Sequence, residues 1–359
     1  MRAAILPGLN EKLEVRDDVS VVGPGPGEVH IRIVASGVCH SDISAQNGTL
    51  PSPMPGVLGH EGAGEILAVG DGVTTLAPGD HVIVSWVPPC GWCRLCLEGQ
   101  PNLCQTYLFD ALTAQRFTMG DTPIGAMAGT GTFAEELVVP QVAAIKIPDD
   151  VPLDVASLVG CGVMTGVGAA LNTAKVRPGS SVVIFGCGGV GVSAIQGARI
   201  AGAAEIVAVD LLDHKLESAK KFGATHAVKP GDLAALSADL TGGLGFDYAF
   251  EVIGLPDTIR SAWDATRRGG TTVVVGAGRA EAMVSFSAFE LFYFEKKLLG
   301  CFYGSADVRT DFHRMLRLWR AGKLDLEGMI TRRIDLSEIN DAFDACKNGD
   351  VIRTVIEFK

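Results

Sequence analysis

The feature that most constrains this chain is a glycine-rich turn that joins a predicted strand to a predicted helix. The apolar run at residues 182–185 leads straight into Gly186-Cys187-Gly188-Gly189-Val190-Gly191, and small and apolar residues then recur at helical spacing. Glycines permit a tight turn and a close approach of the backbone, and a helix N-terminus directs its free N–H groups at a phosphate. The turn therefore predicts a nucleotide-binding strand–turn–helix unit.

The following strand indicates which nucleotide. Residues 206–209 form an apolar run that ends at Asp210, at about the 20-residue spacing where a carboxylate binds the adenosine ribose hydroxyls. The carboxylate would repel a 2′-phosphate, and Leu211 stands where an arginine or serine would suit NADP. NAD is therefore favoured. The alternative is a structural glycine turn with Asp210 as an ordinary cap.

Four of the nine cysteines crowd into one short segment. Cys90, Cys93, Cys96 and Cys104 have the spacing C-x2-C-x2-C-x7-C, and four thiolates suit a closed, structural zinc site that replaces a hydrophobic core. An iron–sulfur cluster also uses four thiolates, so the spacing does not exclude it. Uncoordinated surface cysteines are the third interpretation, and clustered free thiols would be prone to oxidation.

A second set of metal-ligating residues comes from three separate segments. Cys39 lies in Gly-Val-Cys-His-Ser-Asp, His60 in Gly-His-Glu-Gly-Ala-Gly-Glu, and Cys161 in Val-Gly-Cys-Gly-Val. Two thiolates and one imidazole leave the fourth position of a tetrahedral zinc open for water or substrate, as catalytic sites require. Each residue alone is better explained as core packing. The hypothesis therefore depends on the set.

The residue composition and the secondary-structure pattern change along the 359 residues of the chain. The first 160 or so are rich in Gly and Pro, with short strand-like runs such as residues 29–34 and 81–84. From about residue 165, strand and helix patterns alternate, which favours a parallel sheet covered by helices on both faces. The apolar run at 355–358 is typical of a closing strand, which we expect to return to the first domain.

Charge and hydropathy exclude some classes of protein. The formal net charge is -11, whereas a phosphate-backbone binder normally presents a concentrated basic face, so we expect no nucleic-acid partner. No apolar run approaches the roughly 20 residues that cross a bilayer, and Pro7 interrupts the N-terminus before a signal-peptide core could form. We therefore expect a cytoplasmic protein without a membrane partner.

Together these motifs resemble the zinc-containing medium-chain alcohol dehydrogenases, and the likeness covers nearly the whole chain. The segment Gly-His-Glu-Gly-Ala-Gly-Glu at 59–65, the four cysteines, the glycine turn and Asp210 occur in the expected order. Residues 103–105 and 131–135 resemble the branch with glutathione-dependent formaldehyde dehydrogenase and related bacterial alcohol dehydrogenases.

The resemblance implies an α/β architecture of two domains and two zinc ions per chain. A β-rich, GroES-like catalytic domain would comprise residues 1–162 and 303–359, with a structural zinc lobe at about 88–106. A Rossmann domain with a doubly wound parallel sheet would comprise residues 163–302 and bind NAD.

The resemblance also implies roles for individual residues. Cys39, His60 and Cys161 would hold the catalytic zinc, with Glu61 as a possible transient ligand, and Ser41 would accept the substrate proton. Further coenzyme contacts would come from Lys215, which assists Asp210, and from Arg353 at the pyrophosphate. His40 stands where many relatives have a pyrophosphate-binding arginine, and Ser44 where several have the histidine that ends the proton relay.

The predicted activity is reversible hydride transfer between NAD and a primary alcohol or aldehyde. One alternative is a formaldehyde dehydrogenase that depends on glutathione or another thiol. A second is an alcohol oxidoreductase that keeps its NAD bound and reduces an external acceptor, and a third is a non-catalytic nucleotide-binding protein. The resemblance implies a homodimer or homotetramer, because relatives associate through the edge strand of the nucleotide domain. The apolar residues at 286–294 and 298–303 could supply that surface, or they could equally be interior packing.

Overall fold

The computed structural model describes residues 1–113 and 115–359, with the side chains of residues 109–112 left aside. The chain divides into two compact units. Unit 1 comprises Met1–Cys161 and Asp307–Lys359, and unit 2 comprises Gly162–Ala306. Unit 1 is thus built from both ends of the chain, and unit 2 is inserted between them.

The first segment of unit 1 consists mainly of strands. They are β1 (Ala3–Leu6), β2 (Glu14–Arg16), β3 (Val19–Val21), β4 (Glu28–Val38), β5 (Gly56–Val57), β6 (Glu61–Val69), β7 (His81–Val84), β8 (Phe117–Met119), β9 (Thr122–Ala126), β10 (Glu136–Pro140) and β11 (Ala144–Lys146). The helices are short: α1 (His40–Gln46), α2 (Arg94–Leu97), α3 (Thr106–Thr113) and α4 (Leu153–Ser157), with 3₁₀ turns at Pro101–Leu103, Met127–Gly129, Gln141–Ala143 and Leu158–Gly160.

Unit 2 alternates strands with helices. Its helices are α5 (Gly162–Gly168), which continues as a π-helix at Ala169–Thr173, α6 (Gly189–Ile200), α7 (Asp213–Lys221), α8 (Leu233–Thr241), α9 (Pro256–Ala265) and α10 (Ala288–Phe294), with 3₁₀ turns at Pro230–Asp232 and Tyr303–Ser305. Its strands are β12 (Ser181–Phe185), β13 (Glu205–Val209), β14 (His226–Val228), β15 (Phe246–Glu251), β16 (Thr266–Val274) and β17 (Lys297–Gly300).

The chain then returns to unit 1. The closing elements are α11 (Val308–Arg320), α12 (Ile339–Asn348), β18 (Ile330–Ile334) and β19 (Arg353–Glu357), with 3₁₀ turns at Glu327–Met329 and Leu336–Glu338. Strand β19 pairs antiparallel with β4, so the end of the chain closes a sheet that its beginning started. This confirms the predicted return of the last strand to the first domain.

Two sheets of unit 1 enclose its core. One has the strand order β2-β1-β5-β9-β8-β3, and the other has the order β11-β7-β6-β4-β19-β18 with β10 also paired to β4. The fully buried side chains between them are aliphatic or aromatic, as in Ile31, Phe133 and Phe343. The β-rich first domain that the sequence predicts is therefore present.

The sheet of unit 2 is parallel throughout and has the order β14-β13-β12-β15-β16-β17. Alternate residues of β12 enter different cores, Val182 and Ile184 on one face and Val183 and Phe185 on the other. Both faces are buried, which explains why these strands read as continuous apolar runs. The order matches the doubly wound nucleotide-binding sheet, and the predicted fold class is confirmed.

Gly162 and residues 303–306 lie in unit 2, whereas the sequence predicted them to belong to the first domain. Gly304 packs closely on α5: a Cβ added at Gly168 would lie 2.4 Å from the Gly304 carbonyl oxygen. The hydroxyls of Ser305 and Thr173 are 2.8 Å apart. These contacts keep the segment with unit 2.

Within the described part of the chain, no single helix is long and apolar enough to span a membrane. Only the consecutive segments Leu153–Gly160 and Gly162–Thr173 reach the required length and composition, and they do so as a bent pair.

A carboxylate near the chain end stabilises the first strand. Asp335 caps the turn at Leu336–Glu338 by accepting hydrogen bonds from the Ser337 amide at 3.0 Å and hydroxyl at 2.8 Å, and it pairs with Arg2 at 3.2 Å. These hydrogen bonds lower the pKa of Asp335 to about 2. The cap and the ion pair therefore both favour the ionised form.

We expect Asp335→Ala to lower the free energy of unfolding at pH 7 by about 1 kcal/mol, the usual contribution of an N-cap. Asp335→Asn should cost less, because an asparagine still caps and only the exposed ion pair is lost. Urea unfolding followed by circular dichroism measures both. Equal losses in the two variants would show that the cap contributes nothing.

Candidate metal centres and dinucleotide-binding turn

Unit 1 brings together the metal ligands that the sequence analysis took from three separate segments. Cys39 lies between β4 and α1, His60 immediately precedes β6, and Cys161 follows the turn at Leu158–Gly160. One ligand atom from each of Cys39, His60, Glu61 and Cys161 lies within 4.8 Å of the others, and all four residues are buried. The cluster is compact enough for one metal ion.

A buried carboxylate orients the histidine of this cluster. His60 Nδ1 lies 3.0 Å from Asp42 Oδ1, and both side chains are at most 2% exposed. Nε2 of His60 is also buried, and it has no hydrogen-bond partner among the described residues. A metal-binding histidine typically bonds a carboxylate through one ring nitrogen and the ion through the other. The unpartnered Nε2 therefore fits a metal ligand.

The same carboxylate links two ligand-bearing segments. Asp42 Oδ2 accepts a hydrogen bond of 2.8 Å from the Cys39 amide, and Oδ1 accepts one of 3.2 Å from the Gly59 amide. The Cys161 thiol lowers the pKa of Cys39 well below its usual range, and His60 acts in the same direction against the effect of burial. Because the thiolate is the form that binds metals, Cys39 is prepared as a ligand.

Glu61 forms a buried ion pair with Arg353, which is 3% exposed. Burial raises the pKa of Glu61 to about 7, although the guanidinium opposes the shift. Residue 37 must be glycine here, because an added Cβ would lie 2.3 Å from Glu61 Oε2. Arg353, expected at the pyrophosphate, thus contacts the metal cluster in this structure. Its coenzyme contact stays a prediction.

Helix α1 carries the other polar residues predicted for this site. The Cys39 thiol lies 3.7 Å from the Ser41 hydroxyl, which places this hydroxyl beside the cluster. His40 is exposed, and Ser44 is buried at 6% exposure. Of the three, Ser41 is therefore the one that the structure places in contact with a ligand.

The four cysteines of the lobe also converge. The Sγ atoms of Cys90 and Cys96 are 4.0 Å apart, as are those of Cys93 and Cys104. Zn–S bonds of about 2.3 Å in a tetrahedron place sulfur atoms about 3.8 Å apart, so one ion fits between them. A four-iron cluster would need wider spacing, because its own iron and sulfide atoms lie between the cysteines.

The lobe has almost no other core. Its buried cluster consists of these cysteines with Tyr107 packed against them. Burial raises the pKa of Cys96 to about 12, whereas hydrogen bonds lower that of Cys90 to about 6 against burial. A cation would favour the thiolate of both residues. The donor set thus fits a structural ion that replaces a hydrophobic core.

Unit 2 places the glycine turn between β12 and α6, as predicted. Gly188 is the N-cap of α6, no side chain caps the helix, and a Cβ added at Gly188 would meet no atom within 4 Å. Gly189, Val190 and Gly191 form the first turn. The twelve-residue helix therefore begins at an open backbone surface that fits a phosphate group.

Asp210 lies at the end of β13, beside this turn. Its Oδ2 accepts a hydrogen bond of 2.8 Å from the Cys187 amide, and its Oδ1 accepts one of 3.1 Å from the Leu212 amide. Burial raises the pKa of the Cys187 thiol to about 12, with Asp210 adding to the shift and Lys215 opposing it. Asp210 and Lys215 thus both act on the glycine turn.

Comparison with known proteins places the whole chain. Residues 25–149 match the alcohol dehydrogenase GroES-like domain, and residues 189–320 match the zinc-binding dehydrogenase domain. A putative alcohol dehydrogenase D of Mycobacterium tuberculosis is 41% identical over 99% of this chain and 98% of its own length. This chain belongs to the zinc-containing medium-chain alcohol dehydrogenase family. It is an oxidoreductase of the alcohol dehydrogenase type.

Two further members of the family have more specific names. An NDMA-dependent alcohol dehydrogenase of Amycolatopsis methanolica is 40% identical over 99% of this chain and 98% of its own. An S-(hydroxymethyl)glutathione dehydrogenase of Paracoccus denitrificans is 38% identical over 99% of both chains. The predicted membership of this family is confirmed.

Solved structures agree with the family assignment. Benzyl alcohol dehydrogenase from Acinetobacter calcoaceticus superposes with a TM-score of 0.93 at 32% identity, covering 100% of this chain and 99% of that one. An alcohol dehydrogenase zinc-binding domain protein from Burkholderia ambifaria superposes with a TM-score of 0.93 at 33% identity, and the match covers 100% of this chain and 98% of that one.

Two residues of the candidate metal site are not predicted from the sequence. Asp42 was not singled out as a site residue, although its place three residues after Cys39 has the spacing of a capping box. The Trp86 ring stands edge-on to the His60 ring, with centroids 6.0 Å apart and an interplanar angle of 85°. No pattern in the sequence marks Trp86, because the contact depends on how β7 and β6 pair.

We expect Asp42→Asn to weaken metal binding at the Cys39–His60–Cys161 cluster by 10–100-fold, the usual effect of losing a partner of a ligating histidine. The asparagine keeps the shape but removes the charge. Competition with a chelator followed by metal analysis measures the affinity, with the exposed Asp341→Asn as a matched control. An unchanged affinity, or an equal loss from the four-cysteine lobe, would contradict the role of Asp42.

Proposed function

We propose that this chain is a zinc- and NAD-dependent dehydrogenase that interconverts primary alcohols and aldehydes. The observation that carries the proposal is the buried set of Cys39, His60 and Cys161 with His60 Nε2 unpartnered. Three protein ligands of this chemistry leave a tetrahedral zinc one position open, which is the arrangement of catalytic rather than structural sites.

The residues around the cluster have distinct tasks in this proposal. When bound, zinc supplies Lewis acidity for ionising an alcohol, and NAD accepts the hydride. Ser41, beside Cys39, accepts a hydrogen bond from the substrate hydroxyl and relays the released proton outward to solvent. Asp42 holds the orientation of His60, and Arg353 balances the charge of Glu61, which can serve as a transient ligand when this ion pair opens.

The glycine turn and Asp210 support NAD as the coenzyme. Gly188 leaves the start of α6 open to a pyrophosphate, and the carboxylate of Asp210 next to it disfavours a 2′-phosphate. Lys215 adds a cation near the turn, and His40 and Arg353 are the candidates for further phosphate contacts.

Two relatives favour more specific versions of the activity. The Amycolatopsis protein is named an NDMA-dependent alcohol dehydrogenase, and dependence on an added compound favours the version in which this chain keeps its NAD bound and reduces an external acceptor. The name of the Paracoccus protein supports oxidation of a thiol adduct of formaldehyde. We place plain alcohol oxidation first because binding and ionising an alcohol at Cys39, His60 and Cys161 requires neither a thiol co-substrate nor an external electron acceptor.

The test follows NADH absorbance with NAD, and separately with NADP, across primary, secondary and aromatic alcohols and formaldehyde with and without glutathione. We expect turnover of a primary alcohol with NAD. Activity only with formaldehyde and thiol would replace the proposal by the thiol-dependent formaldehyde dehydrogenase. NAD retained on the protein, with activity only when an artificial electron acceptor is added, would replace it by the enzyme that reduces an external acceptor.

The same assay tests the ligand set. Cys161→Ala should reduce turnover by more than about 100-fold, since removing a metal ligand empties the open site, while the zinc content falls from two ions to one. Cys301→Ala, which changes a half-buried cysteine outside both clusters, is the matched control. A fully active Cys161→Ala protein that holds one zinc would refute the assignment.

We further propose a homo-oligomer that assembles through unit 2. Strand β17 is the last strand in its sheet, and the adjoining α10 exposes Phe289, Leu291 and Phe292, the last at 81%. Exposed apolar side chains beside an open strand edge are typical of a surface that a partner covers. A second copy of this chain would do so symmetrically.

We expect Phe292→Asp to shift the protein from dimer or tetramer toward monomer, because a charge would be buried in the interface. Size-exclusion chromatography with light scattering measures the mass. Leu244→Asp, at a site 75% exposed in the same unit, should leave the assembly intact. A monomeric wild-type protein, or an unaffected Phe292→Asp assembly, would refute this interface.

A further inference from the structure

A second buried carboxylate lies in unit 2, at the end of β15. Glu251 is 0% exposed, and its Oε1 accepts hydrogen bonds from the Ile253 amide at 3.0 Å and the Gly254 amide at 2.8 Å. The Thr258 hydroxyl donates a third at 2.6 Å. Three donors on one oxygen fix the corner where the chain leaves β15 and enters α9.

This corner lies against the glycine turn. In the parallel ladder Glu251 pairs with Phe185, the residue before the turn, and the Val252 amide donates to the Phe185 carbonyl at 3.0 Å. A Cβ added at Gly186 would lie 2.8 Å from Cγ1 of Ile253. The Ile253 side chain therefore supports the backbone of the turn directly.

The other side of the corner packs closely on the loop after β16. A Cβ added at Gly254 would lie 2.6 Å from the Ala277 carbonyl carbon, and one added at Gly276 would lie 2.1 Å from the Gly254 amide nitrogen. The Glu251 carbonyl oxygen also accepts hydrogen bonds from the Val275 and Gly276 amides at 2.8 and 3.1 Å. The loops after β15 and β16 are thus packed backbone to backbone.

One atom of this arrangement is unusual. Oε2 of Glu251 is buried and has no hydrogen-bond partner among the described residues, although buried polar atoms are normally paired. Ile253, by contrast, is 43% exposed, and it lies against Gly186 of the glycine turn. One oxygen of the carboxylate therefore holds the corner, and the corner exposes the large apolar side chain of Ile253 at the glycine turn.

We propose that Glu251 is a positioning residue for the dinucleotide site: its Oε1 holds the 252–254 corner, which supports Gly186 and presents Ile253 to the bound coenzyme. The inference rests on the proposed NAD function. Without the carboxylate, the Ile253 and Gly254 amides lose their acceptor, and the corner that supports the turn is free to move.

The test compares wild type with Glu251→Ala, Glu251→Gln and Thr258→Val in the full-length zinc-loaded protein. The NAD dissociation constant is measured by calorimetry, and amide hydrogen exchange is measured at 252–255 without NAD. Glutamine keeps the Oε1 acceptor and replaces only the unpartnered oxygen, so it is the conservative rescue. Thr258→Val removes one donor and keeps the shape, so it tests the network if Glu251→Ala fails to fold.

We expect Glu251→Ala to weaken NAD binding by about tenfold or more, to raise the KM for NAD more than it lowers kcat, and to speed exchange at Ile253 and Gly254. Glu251→Gln should remain within about threefold of wild type, and Thr258→Val should lose about twofold to threefold. Nucleotide that survives purification is counted per chain and should be lower in Glu251→Ala.

Three results would overturn the inference. If Glu251→Ala binds NAD with wild-type affinity, the role of Glu251 is refuted and the proposed NAD function is unaffected. If the alanine variant does not fold, wild-type NAD affinity and unchanged amide exchange in Thr258→Val would refute that role instead. A loss in Glu251→Gln equal to that in Glu251→Ala would assign the effect to charge rather than positioning. A wild-type chain that neither binds nor retains NAD would refute the proposed function and this inference with it.

Discussion

The candidate metal site in unit 1 depends on the buried carboxylate of Asp42. It accepts hydrogen bonds from the backbone at Cys39 and Gly59 and bonds Nδ1 of His60. Two ligands from segments about twenty residues apart are therefore held by one side chain. With Nδ1 engaged, the buried and unpartnered Nε2 is the ring nitrogen of His60 that remains to bind an ion at this site. Removing the charge would release the histidine and both backbone amides together.

Carboxylates that accept hydrogen bonds from backbone amides also hold loops in unit 2. Glu251 accepts two backbone amides and a hydroxyl, and Asp210 accepts two backbone amides, so the loops at the ends of β13 and β15 are held by carboxylates. Buried acceptors of this kind satisfy amides that a tight loop cannot pair by itself. The residues of metal chemistry lie in unit 1, whereas the glycine turn lies in unit 2, and each unit has its own core.

Much of the fold could be predicted because its signals are local. Strand β7 has the predicted bounds, and β12 and β13 each begin one residue before the predicted run, since each is an apolar run that ends at a turn residue. The metal ligands could be found because cysteine and histidine are rare and their spacing is informative. Asp42, Trp86 and the pairing of Arg353 with Glu61 could not, because those contacts depend on how distant strands meet. Likewise, no periodicity distinguishes Glu251 from other strand residues.

The central claim is that Cys39, His60 and Cys161 hold a zinc ion distinct from that of the four-cysteine lobe. Zinc K-edge X-ray absorption of the purified protein tests it directly, because the signal averages the neighbours of all bound zinc. A four-sulfur site and a two-sulfur site together predict an average of about three sulfur neighbours at about 2.3 Å, with nitrogen or oxygen completing the shell. An average of four sulfur neighbours would show that only the lobe binds zinc and would contradict the account.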